Sequence, residues 1–115
     1  MNRNFRLTQS TEFKRVRRLG KSYAHPLIVL VVLPTDEDRT RFGVIAGRSV
    51  GNAVQRNRAK RLVREALRPL LPLVSPGWKV ILITRKPILD AKLTEINLCL
   101  QQLFQRANLI DQSNE

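Results

Sequence analysis

Arg56-Asn57-Arg58-Ala59-Lys60-Arg61-Leu62-Val63-Arg64, at the centre of the chain, sets six polar, mostly cationic residues into nine positions with no acid among them. The run sits inside a segment whose periodicity predicts a helix from Asn52, as N-cap, to about Leu71. Wound at 3.6 residues per turn, Ala59, Leu62, Val63, Ala66, Leu67 and Leu70 form an apolar stripe suited to packing on a sheet. Asn57, Lys60, Arg61, Arg64 and Arg68 gather on the opposite face, and Arg56 and Arg58 flank the boundary. A solvated helix face normally mixes charges, because like charges at i,i+4 each cost about 0.2–0.5 kcal/mol. Arg56/Lys60, Lys60/Arg64 and Arg64/Arg68 are all like-charged pairs, so the sequence accepts that cost repeatedly. This implies an anionic partner, and the arginine fork suits phosphate oxygens and base edges better than an ammonium does.

Outward from this helix, the chain reads as helix, strands, helix, strand, helix. A short helix over 10–19 has Ser10 or a neighbour as N-cap, Glu12 in its first turn, Phe13 and Val16 at helical spacing, and Gly20 at its end. After His25-Pro26, the apolar run Leu27–Leu33 predicts a buried strand. Pro34 to Thr40 form a turn, and 41–48 reads as a strand returning antiparallel. Pro69 and Pro72 end the central helix. Trp78 opens a strand over 79–84, and a final helix from about Asp90 to Asn108 carries Leu93, Ile96, Leu100, Leu103, Phe104 and Ala107 on one face. The fold class is thus α/β, an α+β sandwich of three helices on a small mixed sheet, in one domain spanning 1–115. Its core covers about 5–108, with a disordered tail from 109.

The chain has 115 residues and a net charge of +12, from 21 Lys and Arg against nine Asp and Glu. The positive charge is concentrated: Arg3, Arg6, Lys14, Arg15, Arg17, Arg18 and Lys21 accompany only Glu12 in 1–21, and seven cations accompany only Glu65 in 48–68. Nucleic acid is favoured over an acidic membrane surface or an acidic protein. The single Cys99 cannot form an intramolecular disulfide, no apolar signal-peptide core is visible, and no run is long enough to span a bilayer. A soluble, cytoplasmic protein with no membrane partner is expected.

The helix motif Arg56-Asn57-Arg58-Ala59-Lys60-Arg61-Leu62-Val63-Arg64, led in by Ser49-Val50-Gly51-Asn52-Ala53-Val54, resembles the signature helix of the bacterial ribonuclease P protein component. Arg6-Leu7 through Phe13 and the later Arg85-Lys86-Pro87 fit the same family, and the match covers about 5–108. The resemblance implies an αβββαβα-like order with a left-handed crossover between parallel strands, against the usual hand. It further implies a subunit that binds a catalytic RNA and assists endonucleolytic removal of the 5′ leader from precursor tRNA. Arg48, Arg56, Asn57, Arg58, Lys60, Arg61, Arg64 and Arg68 would contact the catalytic RNA. Phe13, Lys14, Arg17 and Val31 would line a leader cleft between the first helix and the sheet. Arg17 and Val31 stand where the family often has aromatics, and Arg48-Ser49 stands where it often has two lysines.

The residues themselves offer no protein catalyst. Asp36-Glu37-Asp38 reads as a solvated turn, His25 as a strand-edge residue, Cys99 as packed and Trp78 as core. No catalytic or metal-binding side chain is therefore expected. Mg2+ would be required by the RNA, and no protein partner would be needed. The competing reading is a non-catalytic rRNA-binding or ribosome-assembly protein. DNA binding is weaker, because nothing resembles a helix-turn-helix pair.

Overall fold

The computed structural model describes residues 5–110, so Arg3 and the segment 111–115 lie outside the described residues. The order is α1 (Ser10–Leu19), β1 (Lys21–Ala24), β2 (Ile28–Pro34), β3 (Arg41–Ala46), α2 (Ala53–Leu67), β4 (Trp78–Thr84) and α3 (Leu93–Arg106). Short 3-10 turns occupy Arg48–Val50, Arg68–Leu73 and Lys86–Asp90. Three limits move. α2 yields to a 3-10 turn at Arg68, where Pro69 enters the next turn and cannot donate. α3 starts at Leu93 rather than Asp90, where the Glu95 carboxylate accepts from the Lys92 N–H at 2.8 Å. At α1 the cap is Gln9, without a side-chain bond, and Ser10 is already helical.

The strands form one sheet in the order β1-β2-β4-β3. β2 and β4 are antiparallel, β3 and β4 parallel, and α2 lies in the crossover between that parallel pair. β3 does run antiparallel to β2, as its return from the Pro34–Thr40 turn suggests, but it does not lie beside it: β4 is inserted between them. Its Val80, Ile81 and Leu82 are all fully buried, so it takes the central position where both faces are covered. β1, which the apolar pattern does not disclose, pairs with β2 across the His25–Leu27 turn, and its residues are mostly exposed.

Alternation along the strands divides the core in two. Leu30, Val32, Phe42, Val44, Val80 and Leu82 face α2 and α3, meeting Ala59, Val63, Leu67, Ile96, Leu100, Leu103 and Phe104. Val31 and Ile81 face the other way, under α1, with Leu7 and Val16. Each fully buried Val or Leu contributes roughly 1.5–3 kcal/mol relative to exposure. Leu93 departs from its expected core place and is 45% exposed. Leu109 and Ile110 are buried, not part of a disordered tail. Asn108 adopts φ 60°, and the Leu109 N–H bonds Phe104 O at 2.9 Å while Asn108 N–H bonds Gln105 O at 3.1 Å. This Schellman turn carries the chain back onto the core.

Candidate nucleic-acid interface

α2 owes its rigidity to a reciprocal cap. Asn52 Oδ1 accepts from the Gln55 N–H and Gln55 Oε1 from the Asn52 N–H, both at 2.9 Å. Gly51 supplies the approach at φ 146°, and a Cβ there would lie 2.0 Å from Gln55 Oε1, so another residue would both strain the backbone and displace the cap. With Ala59, Val63, Ala66 and Leu67 buried, Asn57, Arg58, Arg61 and Arg68 are exposed, while Arg56, Lys60 and Arg64 are part-buried. The cationic face is thus fixed to the sheet. Two members differ from the rest. Arg68 pairs with Glu65 at 3.2 Å, which partly neutralises it, and the Arg64 Nε is shut from solvent without a hydrogen-bond partner among the described residues.

On the other side of the sheet, α1 is held by one carboxylate. Glu12 accepts from Arg41 Nη2 and from Lys79 Nζ at 3.1 Å, tying the helix to β3 and β4. Arg41 also grips Glu37 through Nε and Nη2, each at 3.0 Å. Burial pushes the Glu12 carboxyl up, but the hydrogen bonds and charges of Lys79 and Arg41 outweigh it and hold it below 4.5. This places the Phe13 ring on Gly43, where a Cβ would come within 2.4 Å of it. Beside the ring runs a row in register across the sheet, Ala24, Val29, Ile83 and Ile45, of which the last three are only part-buried. Lys14 and Arg17 stand exposed on α1, Arg17 one turn beyond Phe13. Val31 does not line this cleft surface: at 3% exposure it lies beneath α1, because it shares the face on which Val16 packs.

The strip opens into a cavity of about 690 Å3 lined by Ala24, His25, Ser49, Ile83, Arg85 and Lys86 among others. Arg85 and Lys86, which stand out in the sequence only through family resemblance, supply its cationic wall. The Lys86–Asp90 turn packs against α2 and against the Arg48–Val50 turn that leads into it. Arg48 is exposed on that connection. The cleft, the cavity and the cationic helix are consequently neighbours, which linear spacing does not disclose.

The remaining reactive groups are structurally employed. His25 Nδ1 accepts from the Leu27 N–H at 3.1 Å and closes the β1–β2 turn. Cys99 is buried, and burial pushes its thiol up to about 12. Trp78 is part-buried against the main core, and its backbone N–H donates to Thr40 Oγ1 at 3.2 Å. Asp36 and Asp38 are exposed while Glu37 pairs with Arg41. Among the described residues, no group of three or more His, Cys, Asp or Glu could hold a metal ion, and no helix is long and apolar enough to cross a membrane.

Comparison with known proteins gives the surface a context. The Ribonuclease P family profile matches residues 1–108. The ribonuclease P protein component of Herpetosiphon aurantiacus is 42% identical over 109 residues, covering 95% of this chain and 89% of that protein. That of Chloroflexus aurantiacus is 39% identical over 111 residues, covering 96% and 82%. Among solved structures, the RNase P protein of Staphylococcus aureus superposes with a TM-score of 0.82 at 26% identity, covering 93% of this chain and 98% of that one. The Thermotoga maritima RNase P protein gives 0.78 at 27% identity, covering 88% and 96%. A ribosome-assembly reading finds no counterpart among these relatives.

Proposed function

The chain belongs to the bacterial ribonuclease P protein family, and from that membership we propose that α2 grips the RNA subunit while the α1–sheet cleft holds the 5′ leader of precursor tRNA. As a ribonuclease P protein component it is one part of a ribonucleoprotein endoribonuclease, with the RNA subunit as its partner. The observation that carries the division of labour is the adjacency of two unlike surfaces. One is a capped helix presenting Asn57, Arg58 and Arg61 to solvent. The other is a part-apolar strip beside Phe13 that ends at Arg85 and Lys86.

The first surface suits a folded RNA backbone, because Arg forks neutralise phosphates and Asn57 can both donate and accept. The second suits a single strand. Phe13 and the Val29–Ile83–Ile45 row offer packing to base faces, while Lys14, Arg17, Arg85 and Lys86 offer charge to its phosphates. Cleavage itself falls to the RNA in this reading, together with the Mg2+ it requires. Among the described residues, Glu12 and Glu37 are committed to Arg41, Glu65 pairs with Arg68, Glu95 caps α3, and Asp36, Asp38 and Asp90 are exposed. The cations act by lowering phosphate repulsion, which strengthens metal binding by the RNA and substrate binding by the complex. A cytoplasmic setting follows from such substrates.

The test is reconstitution of the RNA subunit with and without this chain at low Mg2+, assayed by precursor cleavage. Stimulation of cleavage, largest where Mg2+ is scarcest, is expected. Cleavage unaffected by the chain at every Mg2+ concentration would overturn the proposal.

A further inference from the structure

The β1–β2 turn separates two cavities, and one residue belongs to both. His25 lines the cavity of about 690 Å3 at the end of the Phe13 strip, and also a second one of about 400 Å3 against the last turns of α3. Gln102, Leu103 and Arg106 line the second cavity with it. Leu103 is fully buried and gives an apolar floor, while Gln102 and Arg106 are exposed at the rim. His25 Nδ1 accepts from the Leu27 N–H at 3.1 Å, so the ring proton sits on Nε2, which is left to donate.

Arg106 is set in place rather than loose. Its Nη1 donates to Ala24 O at 3.0 Å, and its Cζ lies 5.6 Å from the centre of the Tyr23 ring. Lys21 Nζ lies 5.4 Å from the same centre. Strand alternation explains the grouping. Ala24 pairs with Val29 of the strip, so Tyr23 and Lys21 face the α3 side, where Tyr23 packs on the main core. Among the described residues no carboxylate pairs with Lys21 or Arg106. A guanidinium has more N–H donors than Ala24 takes, so the fork keeps some for an anion. The last α3 carbonyls do not claim them: those of Leu103, Phe104 and Gln105 already accept from Ala107, Leu109 and Asn108.

We propose that this second cavity is a subsite for one further nucleotide of the single-stranded leader. Its phosphate sits on Arg106 and Lys21, and its base lies against Leu103 with Gln102 and His25 Nε2 at its polar edge. The proposal rests on the reading that the α1–sheet cleft holds the leader, and it carries that path round the turn at His25. RNA is favoured over an acidic protein because the cavity continues the cleft, and because amide and imidazole groups suit the edge of an unstacked base.

The test measures the affinity of the reconstituted holoenzyme for precursor tRNAs whose leaders lengthen one nucleotide at a time, using wild type, Gln102→Ala, Arg106→Ala and Phe13→Ala. Wild-type affinity is expected to rise in two steps, the first for the cleft and the second for this cavity. Arg106→Ala should remove the second step, about tenfold for a charge-assisted hydrogen bond, and lower the log–log salt slope by about 0.7 for long leaders only. Gln102→Ala should cost about two- to tenfold on the same long leaders. Neither should alter the binding of short leaders, which Phe13→Ala weakens. A single step in wild type overturns the subsite, as do losses by Gln102→Ala and Arg106→Ala that are nil or equal at all lengths. A loss confined to Arg106→Ala overturns it too, since that is a charge effect without a seated base. If Phe13→Ala is also without effect at every length, the leader cleft itself fails; if Phe13→Ala alone weakens binding, the cleft stands and only the subsite fails. Should Arg106→Ala disturb β1 through Ala24, Arg106→Lys keeps the charge but not the fork, and the exposed Gln102 decides.

Discussion

The Phe13 ring lies on the backbone of Gly43, so close that a Cβ at position 43 would come within 2.4 Å of two ring carbons. A helix residue and a strand residue thereby set the depth of the cleft together. Gly43→Ala must displace the ring or lift α1, and an overpacked site of this kind costs about 1–3 kcal/mol. Urea unfolding should show that loss, and precursor tRNA binding by the holoenzyme should weaken with it. Unchanged stability would show that Phe13 has room to move.

Phe13→Ala removes the ring without crowding the sheet. Precursor tRNA should then bind the holoenzyme less tightly by about 1–3 kcal/mol, the worth of one stacked base, while mature tRNA, which lacks the leader, keeps its affinity. Equal losses for both would place the effect outside the leader cleft. Phe13→Leu, which retains apolar packing in the α1 cluster, separates lost stacking from lost structure.

Glu12 makes the attachment of α1 sensitive to acid. Its carboxyl is held below 4.5 in the folded chain, so its contribution is present above that value and is lost as pH falls through the lower, folded value. Glu12→Gln should cost about 1–3 kcal/mol at neutral pH, since it leaves Arg41 and Lys79 facing a neutral group. The deficit relative to wild type should shrink below pH 4.5. Unfolding free energies from about pH 3 to 7 check this; a deficit constant across that range would exclude the ion pair as its source.

Cys99, buried in α3 with its thiol pushed up to about 12, should resist a disulfide reagent at neutral pH until the chain unfolds. Labelling is expected to track unfolding across a denaturant series. Rapid labelling of the folded protein would mean that α3 opens on its own.

Much of the fold is legible in the sequence because it is local. Asn52 with Gln55 three residues on is a cap pattern that spacing alone discloses, and the Ala59–Val63–Ala66–Leu67 stripe follows from the helical period. The pairing of strands is not legible. Leu27–Leu33 and Val80–Ile83 are apolar on both faces, and such runs do not say which neighbour each will take. β1 escapes notice because Lys21–Ala24 is short and mostly exposed, carrying no apolar alternation. Leu109 and Ile110 read as tail because their return to the core depends on the left-handed Asn108, a single residue. At the interface, the cations are visible as a helical face, but the bridge that brings Arg6 to β3 is tertiary. Val31 falls outside the cleft surface because strand parity does not tell which half of a sheet face a helix will cover.

The most direct measurement is the salt dependence of RNA-subunit affinity when Arg56, Arg58 and Lys60 are replaced together by Ala. If α2 is the gripping surface, affinity falls and the log–log slope declines by about 0.7–0.9 for each phosphate no longer neutralised, with the fold intact by circular dichroism. A folded triple variant that binds with wild-type affinity and wild-type slope would contradict the account.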